Sequence, residues 1–414
     1  MIGRRTFLKA GVGASLAGMV GAGASLGETI VPTPPVGKTL PTAAAVRTPP
    51  QLLRHRFGVN YTPSKNWWYC WNDWDAGSIA RDLDAIKGLG LDHLRIQLIW
   101  PYFQPNPKFV SPVHLKRLGE LMSLANERKL DVQVTVFTGG MSGFTFRPPF
   151  LVDRAEQDRF YSSERFWKAQ EILVRELATL LKPLPNFLGF DLGNEINCTW
   201  HAPTKEGDAW MDKMLTLMER ECPNLPHANG VDHQPWFYGS TFSPAKLVSR
   251  QQIVPLHCYV KFTEALNYGG VFDPACIRLI PAMAALARSY GQDGNKPIWV
   301  QEYGMSDEWM DIKKMPAFVE KATVAGIDEG VSWFTWWDSH DIDPKFEFPS
   351  LEYKLGLLTG DQKVKDVGRK FSELAKQYSG KAVKIPKRAV GKPPIPGDGK
   401  VVWKWMLNWI ESNP

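Results

Sequence analysis

From Arg56 onward, short apolar runs of strand type alternate with segments of helical period, and few folds accommodate that alternation. RFGVNY precedes SIARDLDAIKGLG, HLRIQLIW precedes PVHLKRLGELMSLANERKL, and DVQVTVFTG precedes the helical pattern RFWKAQEILVRELATLL. FLGFDLGNE then leads into AWMDKMLTLMEREC, and a weak run near HANGVDH follows. Beyond it IVPLHCYV, KPIWVQEYG and VSWFTWW alternate with PACIRLIPAMAALARSY and MPAFVEKATVAG. These are eight candidate strands, the fifth the weakest. Parallel strands with intervening helices form a doubly wound sheet or a closed barrel. Polar groups stand at so many strand ends that the barrel is favoured, so an α/β fold of the (β/α)8 TIM barrel type is expected.

The chain has 414 residues and 44% hydrophobic content, enough for a full core, and the folded domain is expected over 54–380. Residues 1–24, MIGRRTFLKAGVGASLAGMVGAGA, carry Arg4 and Arg5, then Phe7, Leu8 and Lys9, a Gly/Ala-rich apolar stretch and the small-residue site Ala22-Gly23-Ala24. This segment resembles a Tat export signal, which implies the Tat machinery as a partner and a periplasmic or secreted destination. It is short and glycine-rich for a bilayer span. Residues 25–53 are Pro/Ala-rich and suit an extended linker. Residues 381–414 form a Pro/Lys-rich linker and a Trp-rich segment, VVWKWMLNWIESNP, expected to pack back onto the barrel.

The net charge of +6 is unevenly spread. Residues 1–24 hold three cations and no acid, and 381–414 hold seven Lys/Arg against Asp398 and Glu411, so the remainder carries about −2. A nucleic-acid surface needs a concentrated basic face, so no nucleic acid is expected as a partner. Five cysteines without a CxxC motif leave room for one or two disulfides after export and at least one free thiol. We expect a monomer.

Glu195 ends the fourth strand and Glu302 the seventh. In a barrel all strands aim their C-terminal ends at one face, so the two meet there. Two carboxyl groups facing one cleft are the requirement for cleaving a glycosidic bond: one protonates the departing oxygen while the other attacks the anomeric carbon or activates water. His257 and Tyr259 share strand parity and project to one side.

With these residues in order on separate strands, the chain from about Arg56 to Val367 resembles a clan A retaining glycoside hydrolase, most similar to family 5, the cellulase and mannanase group. The resemblance implies Glu195 as acid/base, Glu302 as nucleophile, Asn194 as partner of the sugar 2-hydroxyl, and Arg95 as the cation that orients Glu302. It also implies His257 and Tyr259 beside the nucleophile, with the phenol bonded to it. No cofactor and no metal is implied, and the substrate is a carbohydrate, β-mannan or β-glucan in type. The aromatic platform after the eighth strand is assigned to Trp336, with Trp333 and Trp337 as rivals. Two departures stand out: Ile196 replaces the usual Pro, and FTGGMSG lacks the histidine many members carry after the third strand.

The chain is rich in aromatics, with 17 Trp and 21 Phe, and NWWYCWNDWD follows the first strand. Trp68 and Trp71 there either stack on sugar faces or plug the barrel edge, and Trp100 with Gln104, and Trp200 with His201, are further subsite candidates. Asp191, two residues back from the strand end, is read as buried and structural. His340, Asp341 and Asp343 either bind a divalent ion or form a solvated acidic loop, and the second is preferred. Rival functions are a non-catalytic carbohydrate-binding barrel and a β-glycosidase for xylan, galactan or a glycoconjugate. A redox role has no support, since no dinucleotide fingerprint or CxxCH is present.

Overall fold

The computed structural model describes residues 51–151, 159–291, 294–388 and 391–414. The segment read as an export signal and the linker up to residue 50 lie outside the described residues. Seven parallel strands, β1 (Arg56–Asn60), β2 (His93–Ile99), β3 (Asp131–Thr138), β4 (Phe187–Asp191), β5 (Val254–His257), β6 (Ile298–Tyr303) and β7 (Trp333–Trp336), form one sheet in the order β4-β3-β2-β1-β7-β6-β5. The fold is a (β/α)8 barrel, with the predicted sixth to eighth strands as β5 to β7.

The predicted fifth strand is reduced to one bridge, Ala228 beside Asp191. Ala228 N–H donates to the Phe190 carbonyl and Leu192 N–H to that of Ala228, both at 2.9 Å, on the edge of β4 that β3 leaves free. The next two N–H groups go to side chains instead: Asn229 to Gln251 Oε1 at 2.7 Å and Gly230 to Asp191 Oδ1 at 2.8 Å. A backbone donor spent on a side chain is lost to a ladder. A Cβ at 230 would stand 2.3 Å from Gln301 Oε1, so a larger residue here would displace that buried amide.

The strands join the principal helices α1 (Ala76–Gly88), α2 (Pro112–Glu127), α3 (Glu164–Leu181), α4 (Thr204–Glu221), α5 (Pro244–Arg250), α6 (Leu279–Ser289), α7 (Met315–Asp328) and α8 (Asp366–Tyr378). Asp75, Ser111 and Ser243 cap α1, α2 and α5 by accepting the N–H three residues on, which satisfies donors a helix start leaves open. Each helix buries an apolar stripe, as α3 does with Phe166, Leu173, Leu177 and Leu181. Burying each such side chain contributes about 1.5–3 kcal/mol.

Alternation sorts the two strand faces. On β2, Leu94, Ile96 and Leu98 join the main apolar core, whereas His93, Arg95 and Gln97 belong to the barrel interior. That interior is layered. At its base Leu188, Ile253, Trp299 and Trp333 make a separate apolar plug, against which the His93 ring packs. Above it the side chains are polar and bonded: Asn60 donates to the Gln301 carbonyl at 3.0 Å, and Gln301 Nε2 to Gln133 Oε1 at 2.8 Å.

The C-terminal segment folds as α9 (Gly399–Ser412) and packs on α6. Trp403 is fully buried, stacks on Tyr268 and donates from Nε1 to the Thr263 carbonyl at 2.7 Å. All five cysteines are free, four of them buried and Cys198 exposed, so no disulfide is formed. No helix among the described residues is long and apolar enough to cross a membrane.

Candidate active site

Arg95 is the centre of the polar layer and is wholly buried. Its Nη1 donates to Glu302 Oε1 at 2.5 Å and to Asn60 Oδ1 at 3.0 Å, while Nε and Nη2 grip Asp191 Oδ2 at 3.0 and 2.8 Å. Asp191 also accepts from Thr135 Oγ1 and from the Gly230 N–H. It is therefore a buried counter-charge for Arg95, and the carboxylate facing the cleft from β6 is Glu302. Burial alone would lower the Arg95 pKa, but Asp191 and Glu302 outweigh it and hold it raised.

Glu302 reaches the cleft through an irregularity in β6. The register shifts between Val300 and Tyr303 against β7, and between Leu256 and His257 against β5. Gln301 and Glu302, neighbours in sequence, can then both serve the barrel interior, as bulges near active sites allow. Tyr259 Oη donates to Glu302 Oε2 at 3.0 Å, so both carboxylate oxygens are held.

Glu195 lies just past the end of β4, at φ 41°, ψ 47°. This left-handed conformation costs a non-glycine residue on the order of 1–3 kcal/mol. Preceding it, Asn194 accepts from Arg95 Nη2 at 3.0 Å and donates to the Gly140 carbonyl at 3.2 Å. The FTGGMSG segment thus braces the pair from the side. A Cβ at Gly139 would stand 2.0 Å from the Trp200 ring, so only glycine fits.

His257 Nδ1 lies 2.8 Å from Glu195 Oε1 and 3.4 Å from Glu302 Oε2, and Nε2 lies 3.1 Å from Gln301 Oε1. Burial lifts the Glu195 pKa above the ordinary carboxylate value; His257 opposes the rise without cancelling it, and Glu302 and Asp232 add to it. For His257, burial acts downward, but Glu302 and Glu195 prevail and raise it. Both shifts favour the protonated form of the group concerned. The facing oxygens of Glu195 and Glu302 lie within 4.8 Å of each other, beside a His257 nitrogen equally close. Those three residues have the spacing of a metal seat, but Arg95 and Tyr259 already occupy Glu302 and His257 engages Glu195. The arrangement suits proton donation and nucleophilic attack across one gap, in line with the ~5–5.5 Å carboxyl separation of retaining glycosidases.

The tryptophans divide differently from expectation. Trp336 is fully buried on the outer face of β7 against Phe371 and Tyr303, with Nε1 bonded to the Leu355 carbonyl, so it cannot be the platform. Trp333 is in the basal plug. Trp337, one residue past β7 and on the interior parity, lines the pocket beside Glu302. Trp71 is buried, donates to the Gln97 carbonyl and packs on Phe103; Trp100 is buried among Phe137, Phe150, Phe160 and Trp200. Both are core residues, and so are Gln104 and Trp200. Trp68 is half-buried, stacked on Tyr69 and edge-on to Phe144 and Phe146, and walls the barrel edge. Asp341 accepts from Lys365 Nζ at 2.6 Å and His340 is buried beside Asp82, whereas Asp343 is exposed and pairs with Lys345, so the loop is solvated at Asp343 and bonded at the other two.

No family model matches the chain, and no curated protein does. Among solved structures, GH5_18 from Streptomyces cattleya in complex with GlcNAc is 30% identical, over 89% of this chain and 92% of that one, with a TM-score of 0.79. The chain belongs to glycoside hydrolase family 5. A glutamate-to-alanine variant of GH5_18 from Bifidobacterium longum subsp. longum, in complex with Manβ1-4GlcNAc, is 29% identical over 86% and 89% of the two chains, with a TM-score of 0.79. The exo-β-1,4-mannosidase Op5Man5 from Opitutaceae bacterium strain TAV5 shares the fold at 23% identity, 90% and 70% coverage and a TM-score of 0.74. This family 5 protein is a β-glycoside hydrolase that binds carbohydrate.

Several residues of the enzyme's cleft escaped the sequence reading. Two pockets share Glu195, Tyr259 and Phe262. One, with about 390 Å³ of empty space, contains Glu302 and is walled by Trp309, Trp337, Leu351 and Glu352. The other, about 570 Å³, lies on the Glu195 side with Asp232, His233 and His257. Asp232 accepts from Asn197 at 2.6 Å and from Cys198 Sγ at 3.0 Å. Trp309 and Glu352 come from loops after β6 and β7, where no periodicity marks a residue as pocket-lining.

Proposed function

We propose that the enzyme is an exo-acting retaining β-mannosidase that removes a terminal mannosyl unit from a β-1,4-linked partner sugar of the Manβ1-4GlcNAc type. The observation that carries this is the pair of pockets meeting at Glu195: the side holding Glu302 takes the terminal ring, and the Glu195 side takes the leaving sugar. Trp67 packs on Trp337 and Phe348, and Phe348 on Phe144, and on this reading that aromatic cluster behind Trp337 would limit the Glu302 side to a short occupant. The sugar complexes of the two GH5_18 proteins support the choice of mannose and GlcNAc over the polymers expected from sequence.

Glu302 attacks the anomeric carbon as the Glu195–His257 pair releases its proton to the departing oxygen. Once the glycosyl bond neutralises Glu302, Glu195 takes a proton from water, which opens the intermediate with overall retention. Trp337 provides the flat face for the terminal ring. Asn194, Arg95 and Tyr259 hold the geometry, and the chemistry needs no cofactor. We propose also that residues 1–24 direct the folded enzyme out of the cytoplasm.

Glu302→Ala is expected to abolish turnover, and azide to restore it with an inverted-configuration glycosyl azide as product. Normal activity in that variant would end the assignment. A panel of Manβ1-4GlcNAc, β-mannan, β-glucan, xylan and galactan, with product lengths recorded, is expected to show disaccharide cleavage and single sugars released from chain ends. Release of long internal fragments would exclude exo action.

A further inference from the structure

We propose that Glu352 is a specificity-determining residue: its carboxyl reads hydroxyls of the terminal sugar ring and so selects the glycone. This rests on the exo-acting reading above. Glu352 ends the short turn Ser350–Glu352 after β7, is only 8% exposed, and lines the pocket that holds Glu302. Its Oε2 accepts from Trp337 Nε1 at 3.3 Å, which fixes the carboxyl against the edge of the platform ring.

Glu302 has Arg95 to balance it, but among the described residues no cation pairs with Glu352. Hydrogen bonds from Trp337 and Ser142 offset its burial only in part, and burial, with the fields of Glu302 and Glu195, pushes its pKa up to about 7. Apolar side chains such as neighbouring Leu351 and Leu355 would wall the pocket without that cost. The missing partners are supplied by a ligand. A pyranose lying on Trp337 presents its hydroxyls around the ring edge, where this carboxyl sits, and a carboxyl accepts two of them or accepts one and donates to another. A sugar with the wrong epimer there leaves the remaining acceptor positions of the buried carboxyl unfilled, which is how a polar site rejects near-isosteres.

The test uses the full-length enzyme, Glu352→Gln and Glu352→Ala on 4-nitrophenyl β-pyranosides of mannose, glucose, galactose and N-acetylglucosamine. Monodeoxy forms of the best substrate follow. In the unmodified enzyme, loss of one particular hydroxyl is expected to lower kcat/KM about 10- to 100-fold, as a charge-assisted bond implies. In Glu352→Ala the same deoxy change should cost almost nothing, and preference among epimers should shrink, with Gln intermediate. Equal deoxy penalties in the enzyme and both variants would overturn the proposal and leave Glu352 a brace for Trp337. Glu352→Gln keeps the side-chain volume, so it decides the matter if Ala does not fold. If the best glycone is not mannose, the mannoside reading fails while Glu352 is still judged on the sugar that is cleaved. An enzyme that cuts polysaccharide internally and none of the four glycosides overturns both.

Discussion

Arg95 concentrates more of the site's energetics than any acid it touches. It balances Asp191 and Glu302 with no solvent exposure, so removing it leaves two buried carboxylates without their shared cation. Arg95→Met is expected to destabilise the fold by about 3–5 kcal/mol, read from the denaturant midpoint. Glu352 behaves oppositely. Its folded pKa of about 7 stands above the ordinary glutamate value of 4.5, so between those values the folded state binds more protons than the unfolded one. Stability contributed by this group is thus complete below about pH 4.5 and is lost as pH rises through about 7. The loss amounts to at most about 3 kcal/mol. Urea unfolding of Glu352→Gln beside the unmodified enzyme at pH 4 and pH 8 should show the variant gaining relative stability at the higher pH. Glu195, Glu302, Arg95, His257 and Tyr259 could be placed near one another from sequence because they stand on or just past barrel strands, while the roles proposed for them come from the family resemblance. Glu352 could not, because a loop acid carries no periodicity to distinguish it from a solvated one.

Elements differ in how far local pattern predicts them. The long amphipathic helices were readable, and so were the seven strands of the sheet they flank. The fifth strand was not formed as a ladder, because Asn229 and Gly230 give their N–H groups to Gln251 and Asp191. In VSWFTWWDSHD three tryptophans compete, and one residue of register decides which faces sugar: Trp333 and Trp337 share the inner parity, and Trp336 turns outward. Helix α9 is a structural part of the barrel's wall. Trp403, Met406, Trp409 and Ile410 are all buried on it, so Trp403→Ala is expected to cost about 3–5 kcal/mol, measured by thermal or urea unfolding. A change under about 1 kcal/mol would mean the helix is only loosely docked.

At the scale of the molecule, chain order matters less than convergence at one barrel face. Glu195, His257, Glu302 and Trp337 span more than a hundred positions yet border one cleft. The proposed export is a property of the whole precursor. Changing Arg4 and Arg5 to Lys should hold the enzyme in the cytoplasm, measured by activity in periplasmic and cytoplasmic fractions, and unchanged export would exclude a Tat route. Local sequence was enough to establish the barrel and to put the two proposed acids at strand ends, since period and strand-end polarity are written into neighbouring residues. Which tryptophan lines the pocket with Glu302 and how Glu352 comes to border it depend on packing between distant segments. Such contacts follow from register and loop path, and neither is encoded within a few residues of the side chain concerned.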